Sequence, residues 1–500
     1  MKIFSAAQIK ECDAFTVQRE GITSYELMER AAKACYNWLA TQYNIATPIL
    51  ILCGMGNNGG DGLVLTRLLL EHGFSAKAVV LKYAEQFFTD ASKALALLHD
   101  CDASSIQILN EDAFLSELAE DILIVDAIMG TGLNRPLQNW LAAFIDSINN
   151  LPNEIVAIDL PSGLPADVLP EQDTVIIKAA HTLSFQFLKR TFLHAETAAI
   201  IGQVHILDIG LDEQFIQFTH TQFATIDIEA SKSIYKPRTR FGHKGTFGKA
   251  ILIGGSYGKI GAIALSTGAA LRAGAGLVFT HAPQCGYTIL QQLHPEAMFV
   301  AAGEKLVTEI NIAIAANAIG IGPGMGTDDK TIQAFVNYIQ HCKVPLVLDA
   351  DALNILANNQ DALHFIPANS IITPHPKEFE RLFGKTVNSI AQIELARAKA
   401  MKHNIYIVLK GHHTAVLTPA GECWYNTTGN AGMATGGSGD VLTGILTGLL
   451  AQGYNSKQAA ILGVYLHGLA GDLAAKEHSQ EALLAGDITN YLGKAYLQLQ

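Results

Sequence analysis

The residues of this 500-residue chain that could do chemistry lie in short glycine-rich segments, each following an apolar run. Gly54-Met55-Gly56-Asn57-Asn58-Gly59-Gly60-Asp61-Gly62 follows Ile49 to Cys53 and leads into the apolar stretch Leu63 to Leu70. Glycines let a backbone approach a ligand closely, and a helix N-terminus offers unpaired N–H groups to a phosphate. The segment lacks the Lys-Ser/Thr of a P-loop. Two more segments reach the same kind of edge: Asp126-Ala127-Ile128-Met129-Gly130-Thr131-Gly132-Leu133 and Asp159-Leu160-Pro161-Ser162-Gly163. An aspartate closing an apolar strand is costly unless it meets a cation, a ligand or amide donors. A turn cap explains either aspartate alone. With Asn58 and Ser162 the pair offers neutral and anionic oxygens, a ligand type for a hard cation of modest charge.

The second half carries Asn426-Thr427-Thr428-Gly429-Asn430-Ala431-Gly432-Met433-Ala434-Thr435-Gly436-Gly437-Ser438-Gly439-Asp440-Val441-Leu442, ahead of an apolar helix. Amides of Gly437 to Asp440 at a helix start can form an anion hole for a transferring phosphoryl group, with Asp440 placed to accept a hydroxyl proton. A plain turn with a helix-start aspartate accounts for Asp440 but not for the glycines. Gly242-His243-Lys244-Gly245 and Gly254-Gly255-Ser256 flank a further strand. A solvated loop explains His243 and Lys244, and a polar group beside a turn explains His375 and His413. Glu378 reads either as an orienter of metal-bound water or as an exposed helix-start glutamate.

These segments need strands to hold them. Ile49 to Cys53, Ala78 to Leu81, Ile122 to Asp126, Ile155 to Asp159, Thr182 to Phe185 and Val204 to Leu207 alternate with helix-length stretches, the pattern of a doubly wound parallel sheet. A mixed polar stretch, residues 221–235, reads as a linker between a domain at 1–220 and another at 236–500. A second series then runs Ala250 to Ile253, Leu277 to Thr280, Ala318 to Ile321, Leu346 to Leu348, Ile371 to Thr373 and Ile405 to Leu409, followed by a hairpin, Ala415 to Leu417 with Cys423 to Tyr425. Two domains also suit the length, because a single core rarely grows past roughly 250–300 residues. The fold class is therefore α/β, with two doubly wound domains.

Composition excludes several functions. With 49% hydrophobic residues, 16% charged and net charge −12, the chain is globular and carries no basic cluster to neutralise nucleic acid. Seven cysteines without any Cys-x-x-Cys suggest neither a disulfide framework nor a zinc site. No apolar run suits a membrane span, and a cytoplasmic protein without a membrane partner is expected. Apolar helices such as Leu63 to Leu70 leave room for a homo-oligomer.

Asn-Asn-Gly-Gly-Asp-Gly, Asp-x-x-x-Gly-Thr-Gly and Asp-x-Pro-Ser-Gly, in this order, resemble the NAD(P)HX epimerase domain, Rossmann-like in fold. The resemblance implies K⁺ near Asn58, Asp126 and Ser162. It also implies substrate phosphates and ribose held by Asn57, Asn58, Gly59, Gly60, Asp61 and by Gly130, Thr131, Gly132, Leu133, Asn134, Arg135, Pro136. Asp159 matches the family's acid/base and substrate-binding carboxylate. The substrate would be a nicotinamide cofactor hydrated at C6, NADHX or NADPHX.

The Gly-Ser-Gly-Asp of the second half is similar to the signature of ribokinase-like proteins. Together with Gly322-Pro323-Gly324-Met325-Gly326, Asp349-Ala350-Asp351, Thr373-Pro374-His375-Pro376-Lys377-Glu378 and Lys410-Gly411-His412-His413-Thr414, it resembles the NAD(P)HX dehydratase domain. That implies Ala262, Gly324, His375 and Asp440 on the hydrated nucleotide, Asp440 as catalytic base, and Lys410, Gly411, His412, His413, Thr414 and Gly439 on ADP carrying Mg²⁺. Two rivals share these residues: a vitamin or sugar kinase with a non-catalytic nucleotide-binding front domain, and a nucleotide-binding scaffold in which Asp126 and Asp159 are dispensable caps.

Overall fold

The computed structural model describes residues 1–110, 118–132 and 139–500. They form two compact units, residues 2–221 and residues 222–500 joined by Met1.

In the front unit seven strands, β1 (Ile49–Cys53), β2 (Ala76–Leu81), β3 (Ile106–Leu109), β4 (Leu123–Ala127), β5 (Ile155–Ile158), β6 (His181–Phe185) and β7 (Gln203–Leu207), pair in parallel in the order β3-β2-β1-β4-β5-β6-β7. Strand β1 is buried along its whole length because alternate residues enter two different cores, Ile49, Ile51 and Cys53 on one face and Leu50 and Leu52 on the other. The order reverses between β1 and β4, so the ends of β1, β4 and β5 border one crevice, the usual ligand position in an open sheet.

The helix after β1 spans Asn57–Glu71, six residues ahead of the expected start at Leu63. Close packing accounts for the glycines at its start: a Cβ on Gly59 would lie 1.9 Å from the Gly54 carbonyl oxygen, and one on Gly62 would lie 2.6 Å from the Ala127 Cβ. Asn57 to Gly62 are thus helical residues rather than a loop leading into the helix. Leu63, Val64, Leu65, Leu68 and Leu69 are buried in the unit's own core, so these side chains are not free for self-association.

The back unit holds ten strands, β8 (Phe223–Ile226), β9 (Lys249–Ile253), β10 (Leu277–Ala282), β11 (Met298–Ala301), β12 (Ala318–Ile321), β13 (Leu346–Leu348), β14 (Ile371–Ile372), β15 (Tyr406–Leu409), β16 (Ala415–Leu417) and β17 (Cys423–Asn426). Their order is β11-β10-β9-β12-β13-β14-β15-β16-β17-β8, parallel through β15, with the expected antiparallel hairpin β16–β17 appended. The stretch read as a linker is structured: β8 pairs in parallel with β17, and the helix Ile228–Ile234 follows, capped by Asp227. The order reverses between β9 and β12, creating the second crevice.

Beside that crevice the buried helix Ser438–Ala451 packs on the helix Ile260–Arg272. Gly444 and Gly448 allow the approach, since added Cβ atoms would meet the carbonyl oxygens of Ser266 and Ala270 at 2.2 and 3.0 Å. Among the described residues, no helix is long and apolar enough to cross a membrane.

Candidate active sites

In the front unit the three strand ends meet. Asp126, fully buried at the end of β4, accepts hydrogen bonds from the Ile128 amide (3.1 Å), the Ser162 amide (2.7 Å) and the Ser162 hydroxyl (2.6 Å). These donors tie the turn after β5 to β4 and offset part of the desolvation cost; burial still dominates and pushes Asp126 up to about 6. The Ser162 hydroxyl in turn accepts from the Met129 amide at 2.8 Å.

Asp159 sits at φ 65°, a left-handed conformation that a non-glycine residue adopts only when its surroundings enforce it. Its Oδ2 accepts from the Thr131 amide at 2.9 Å, and its Oδ1 pairs with Lys189 Nζ at 2.9 Å. A Cβ on Gly130 would lie 2.7 Å from Asp159 Oδ2 and 3.2 Å from Asn58 Oδ1, so Gly130 is the floor on which the two side chains converge. Asn58 is buried, and among the described residues neither its amide oxygen nor its amide nitrogen has a hydrogen-bond partner. Asp61, three residues on along the helix and also buried, is raised well above the usual carboxylate range, by desolvation first and then by the charges of Asp159 and Asp13.

The expected residues Asn58, Asp61, Asp126, Gly130, Thr131, Asp159 and Ser162 therefore come to one edge, with Asn57, Gly59 and Gly60 in the helix start beside them. Gly132 follows Thr131 on the same turn and is exposed. Leu133, Asn134, Arg135 and Pro136 lie outside the described residues. Sequence reasoning missed Lys189 and Asp13. Lys189 lies four positions after β6 in a basic pair with Arg190, so nothing local marks it for burial.

In the back unit Gly437, at φ 95°, caps the helix Ser438–Ala451 and starts the turn that carries Asp440. The Ser266 hydroxyl fixes that turn by donating to the Asp440 carbonyl at 2.7 Å. Burial, reinforced by Asp349 and opposed by Lys410, pushes Asp440 up to about 7. Lys410, just past β15, donates to Asp349 Oδ1 at 2.8 Å and lies 3.9 Å from Glu378. Thr443 donates to the other Asp349 oxygen at 2.9 Å. Asp349 stood in the sequence only within the Asp349-Ala350-Asp351 motif, and its grip on both Lys410 and the helix of Asp440 was not legible there.

A cavity of about 540 Å³ opens here, lined by His375, Lys410, Gly411, His412, Thr414 and Gly439 among others. His413 turns away from it: its ring bonds the Asn426 carbonyl at 3.1 Å and packs on His412, which is the structural role also open to it. His375 caps the helix Pro376–Phe383, with Nδ1 accepting from the amides of Lys377 and Glu378; burial and Lys410 lower its pKa, favouring the neutral ring. Glu378 is buried, not exposed at a helix start, and its carboxylate accepts from the His375 amide at 2.9 Å.

Gly324, at φ 61°, packs so closely on Ala262 that a Cβ would lie 3.0 Å from the alanine methyl, which joins these two expected contacts into one surface. His243 and Lys244 are exposed on their own turn. His467, unnoticed in the sequence, also lines the cavity; its Nε2 is 3.0 Å from the Ser438 carbonyl oxygen, and burial pushes the ring down to about 4.

Taken together, the front crevice can hold a cation and move a proton, and the back crevice can bind a nucleotide and activate a hydroxyl. Comparison with known proteins agrees. Residues 250–494 match the family model for NAD(P)H-hydrate dehydratase, and residues 24–191 match that for the YjeF-related protein N-terminus. The bifunctional NAD(P)H-hydrate repair enzyme Nnr of Moorella thermoacetica is 36% identical over 98% of this chain and 96% of its own length, and that of Coxiella burnetii 34% over 98% of each. The ADP/ATP-dependent NAD(P)H-hydrate dehydratase of Bacillus subtilis, co-crystallised with ATP/Mg²⁺, superposes with a TM-score of 0.50 at 31% identity, covering 55% of this chain and 99% of that one.

Proposed function

The chain belongs to the bifunctional NAD(P)H-hydrate repair enzymes, and from that premise we propose how its residues divide the work. The Rossmann-like front unit interconverts the R and S hydrates of NADH and NADPH. The ribokinase-like back unit dehydrates the S form at the expense of ADP, giving AMP and phosphate.

In the back unit Asp440 takes the proton of the C6 hydroxyl as that oxygen attacks the terminal phosphoryl group of ADP. The amides of Gly437 to Asp440 face the charge that develops there. Phosphate is a better leaving group than hydroxide, so elimination then restores the dihydronicotinamide. Ala262, Gly324 and His375 hold the hydrated nucleotide, while Lys410, Gly411, His412, Thr414 and Gly439 hold ADP and His413, turned from the cavity, supports His412 from behind. The observation that carries this reading is Asp440 itself, raised to about 7 in the first turn of a glycine-capped helix beside the nucleotide-sized cavity. Mg²⁺ arrives with the nucleotide and neutralises phosphate charge; the buried Glu378 carboxylate, 3.9 Å from Lys410, is a suitable oxygen donor for it.

In the front unit Asn57, Asn58, Gly59, Gly60 and Asp61 and the residues from Gly130 to Pro136 hold the substrate, and Asp159 is the acid/base carboxylate. Asn58, Asp126 and Ser162 would hold K⁺, which supplies positive charge near the substrate phosphates when bound. The unpartnered buried amide of Asn58 supports this, because a cation would satisfy the oxygen that the protein leaves without a donor. The cytoplasm is the compartment assigned by this reading, in keeping with seven free cysteines. A homo-oligomer is a separate proposal that sedimentation equilibrium measures directly.

The test mixes the protein with equilibrated R and S NADHX, ADP and Mg²⁺ and follows the absorbance of reduced nicotinamide. Full recovery is expected from the native chain. With Asp159→Asn, recovery should stop once the S fraction is consumed. No recovery with either ADP or ATP would sink the dehydratase assignment, and rapid full recovery by Asp159→Asn would sink the role of that carboxylate.

A further inference from the structure

The glycine-rich turn of the back unit is held from behind. The amides of Gly439 and Asp440, in the first turn of the helix Ser438–Ala451, have no acceptor among the described residues, whereas the next amide, Val441, bonds the Gly437 carbonyl at 3.0 Å. Free amides at a helix start are what a phosphoryl group meets, and their aim decides how well they follow its charge. In a trans peptide the C=O and N–H point in opposite directions. A donor that fixes the Ser438 carbonyl therefore also fixes where the Gly439 N–H points.

His467 is that donor. Its Nε2 lies 3.0 Å from the Ser438 carbonyl oxygen, which can only accept, so Nε2 carries the hydrogen; Ser438 Oγ at 3.3 Å is a second, weaker acceptor. Burial pushes the ring down to about 4, which keeps the donor neutral near pH 7. The helix that carries it, Ser456–His478, is seated on the same segment at other points. Asp472 accepts from the Gly429 amide at 2.8 Å and from the Asn430 side chain at 2.9 Å, and a Cβ on Gly468 would lie 2.3 Å from Thr428 Oγ1. The ring thus stands on a fixed support. Thr443 offers no equal hold on the neighbouring peptide, because its hydroxyl lies 3.2 Å from the Gly439 carbonyl but donates to Asp349 at 2.9 Å.

We propose that His467 is a positioning residue for phosphoryl transfer: by gripping the Ser438 carbonyl it aims the Gly439 amide at the terminal phosphoryl group of the nucleotide. The proposal rests on the dehydratase reading of the back unit and adds to it a residue outside the glycine-rich motif. A Cβ on Gly439 would lie 3.2 Å from Lys410 Nζ, so the lysine cation and the aimed amide meet the same developing charge. That charge is largest in the transition state, so a misaimed amide costs turnover more than it costs binding of ADP.

The test uses the full chain with pure S-NADHX, ADP and Mg²⁺, and reads kcat and the KM for ADP from the return of reduced-nicotinamide absorbance. A glutamine amide nitrogen reaches the place of histidine Nε2, whereas that of asparagine reaches only the place of Nδ1. His467→Asn should lower kcat about 30-fold, short of the roughly 100- to 1000-fold that outright loss of such a donor costs, with the KM for ADP within about threefold of native. His467→Gln should hold kcat within about threefold of native, and His467→Leu, which has no donor, should match His467→Asn. Equal kcat in the Asn and Gln variants, or a loss confined to the KM for ADP, would overturn the proposal. If His467→Leu does not fold, the Asn and Gln pair decides alone. A native chain that returns no NADH with either ADP or ATP would instead sink the dehydratase reading on which the proposal stands.

Discussion

The two units place a lysine differently beside their reactive carboxyls. In the front unit Lys189 pairs directly with Asp159; in the back unit Lys410 pairs with Asp349, and Asp440 has no ion pair among the described residues. Asp440 therefore feels burial and the negative Asp349 more than the cation, and rises to about 7. The two sites thus differ in which carboxylate receives the cation: in the front it is the carboxylate assigned to the chemistry, in the back its neighbour. The back arrangement suits a base that takes a proton and then releases it near neutrality.

The sharpest way to break this comparison is Asp440→Asn. It should lower dehydration of S-NADHX about 1000-fold, within the range for loss of a general base, while R/S interconversion stays at its native rate. A loss of both activities would show that the variant disturbs more than the back site. Next in size come the glycines. In Gly59→Ala the new Cβ meets backbone at 1.9 Å, which cannot yield without moving the helix from β1, and the front unit should lose about 3 kcal/mol in a denaturant melt. Gly439→Ala meets the far end of Lys410 at 3.2 Å and Asp349 Oδ2 at an ordinary 3.5 Å, so the back unit should fold normally and show about a tenfold higher KM for ADP. Equal destabilisation by the two would erase the distinction between a packing glycine and a ligand-facing one.

The pH profiles sharpen the same contrast. Because Asp440 must be ionised to accept the hydroxyl proton and is raised to about 7, kcat for dehydration should fall on the acid side of about pH 7, approaching tenfold per unit. A rate that stays flat down to about pH 5 would remove Asp440 from the role of base.

Both crevices were legible in the sequence because each strand end carries its own marker, a β-branched run closed by Asp or Gly. What escaped was set by tertiary structure. Phe223–Ile226 is short and half-buried, and it becomes a strand only by pairing with Cys423–Asn426, which is remote in sequence. Asn57 to Gly62 has poor helix propensity, yet it is helical because only glycine fits at positions 59 and 62. Lys189 reads as a solvated residue until the fold closes Ser184, Phe185 and Phe187 around it. His467 likewise gained its place from packing rather than from any local pattern, whereas Glu378 owes its place to a local capping box with His375.

The smallest expected effect concerns Asn58, the one residue of the front cation set whose side chain has no partner among the described residues. A buried amide left unsatisfied costs about 1–3 kcal/mol, and an ion that satisfied its oxygen would return part of that. The front unit should therefore melt higher in potassium chloride than in choline chloride at equal ionic strength, by about 2–4 °C for each kcal/mol regained. Asn58→Leu keeps the volume and removes both the orphaned amide and the ion's oxygen, so its melting temperature should be indifferent to the salt cation and no lower than that of the native chain in choline. Asp126 and Ser162 already satisfy each other through two hydrogen bonds, so the salt response must come from Asn58. A potassium increment that survives in Asn58→Leu would locate the ion elsewhere, and its absence from the native chain would leave the Asn58 amide as a fixed cost of the substrate site.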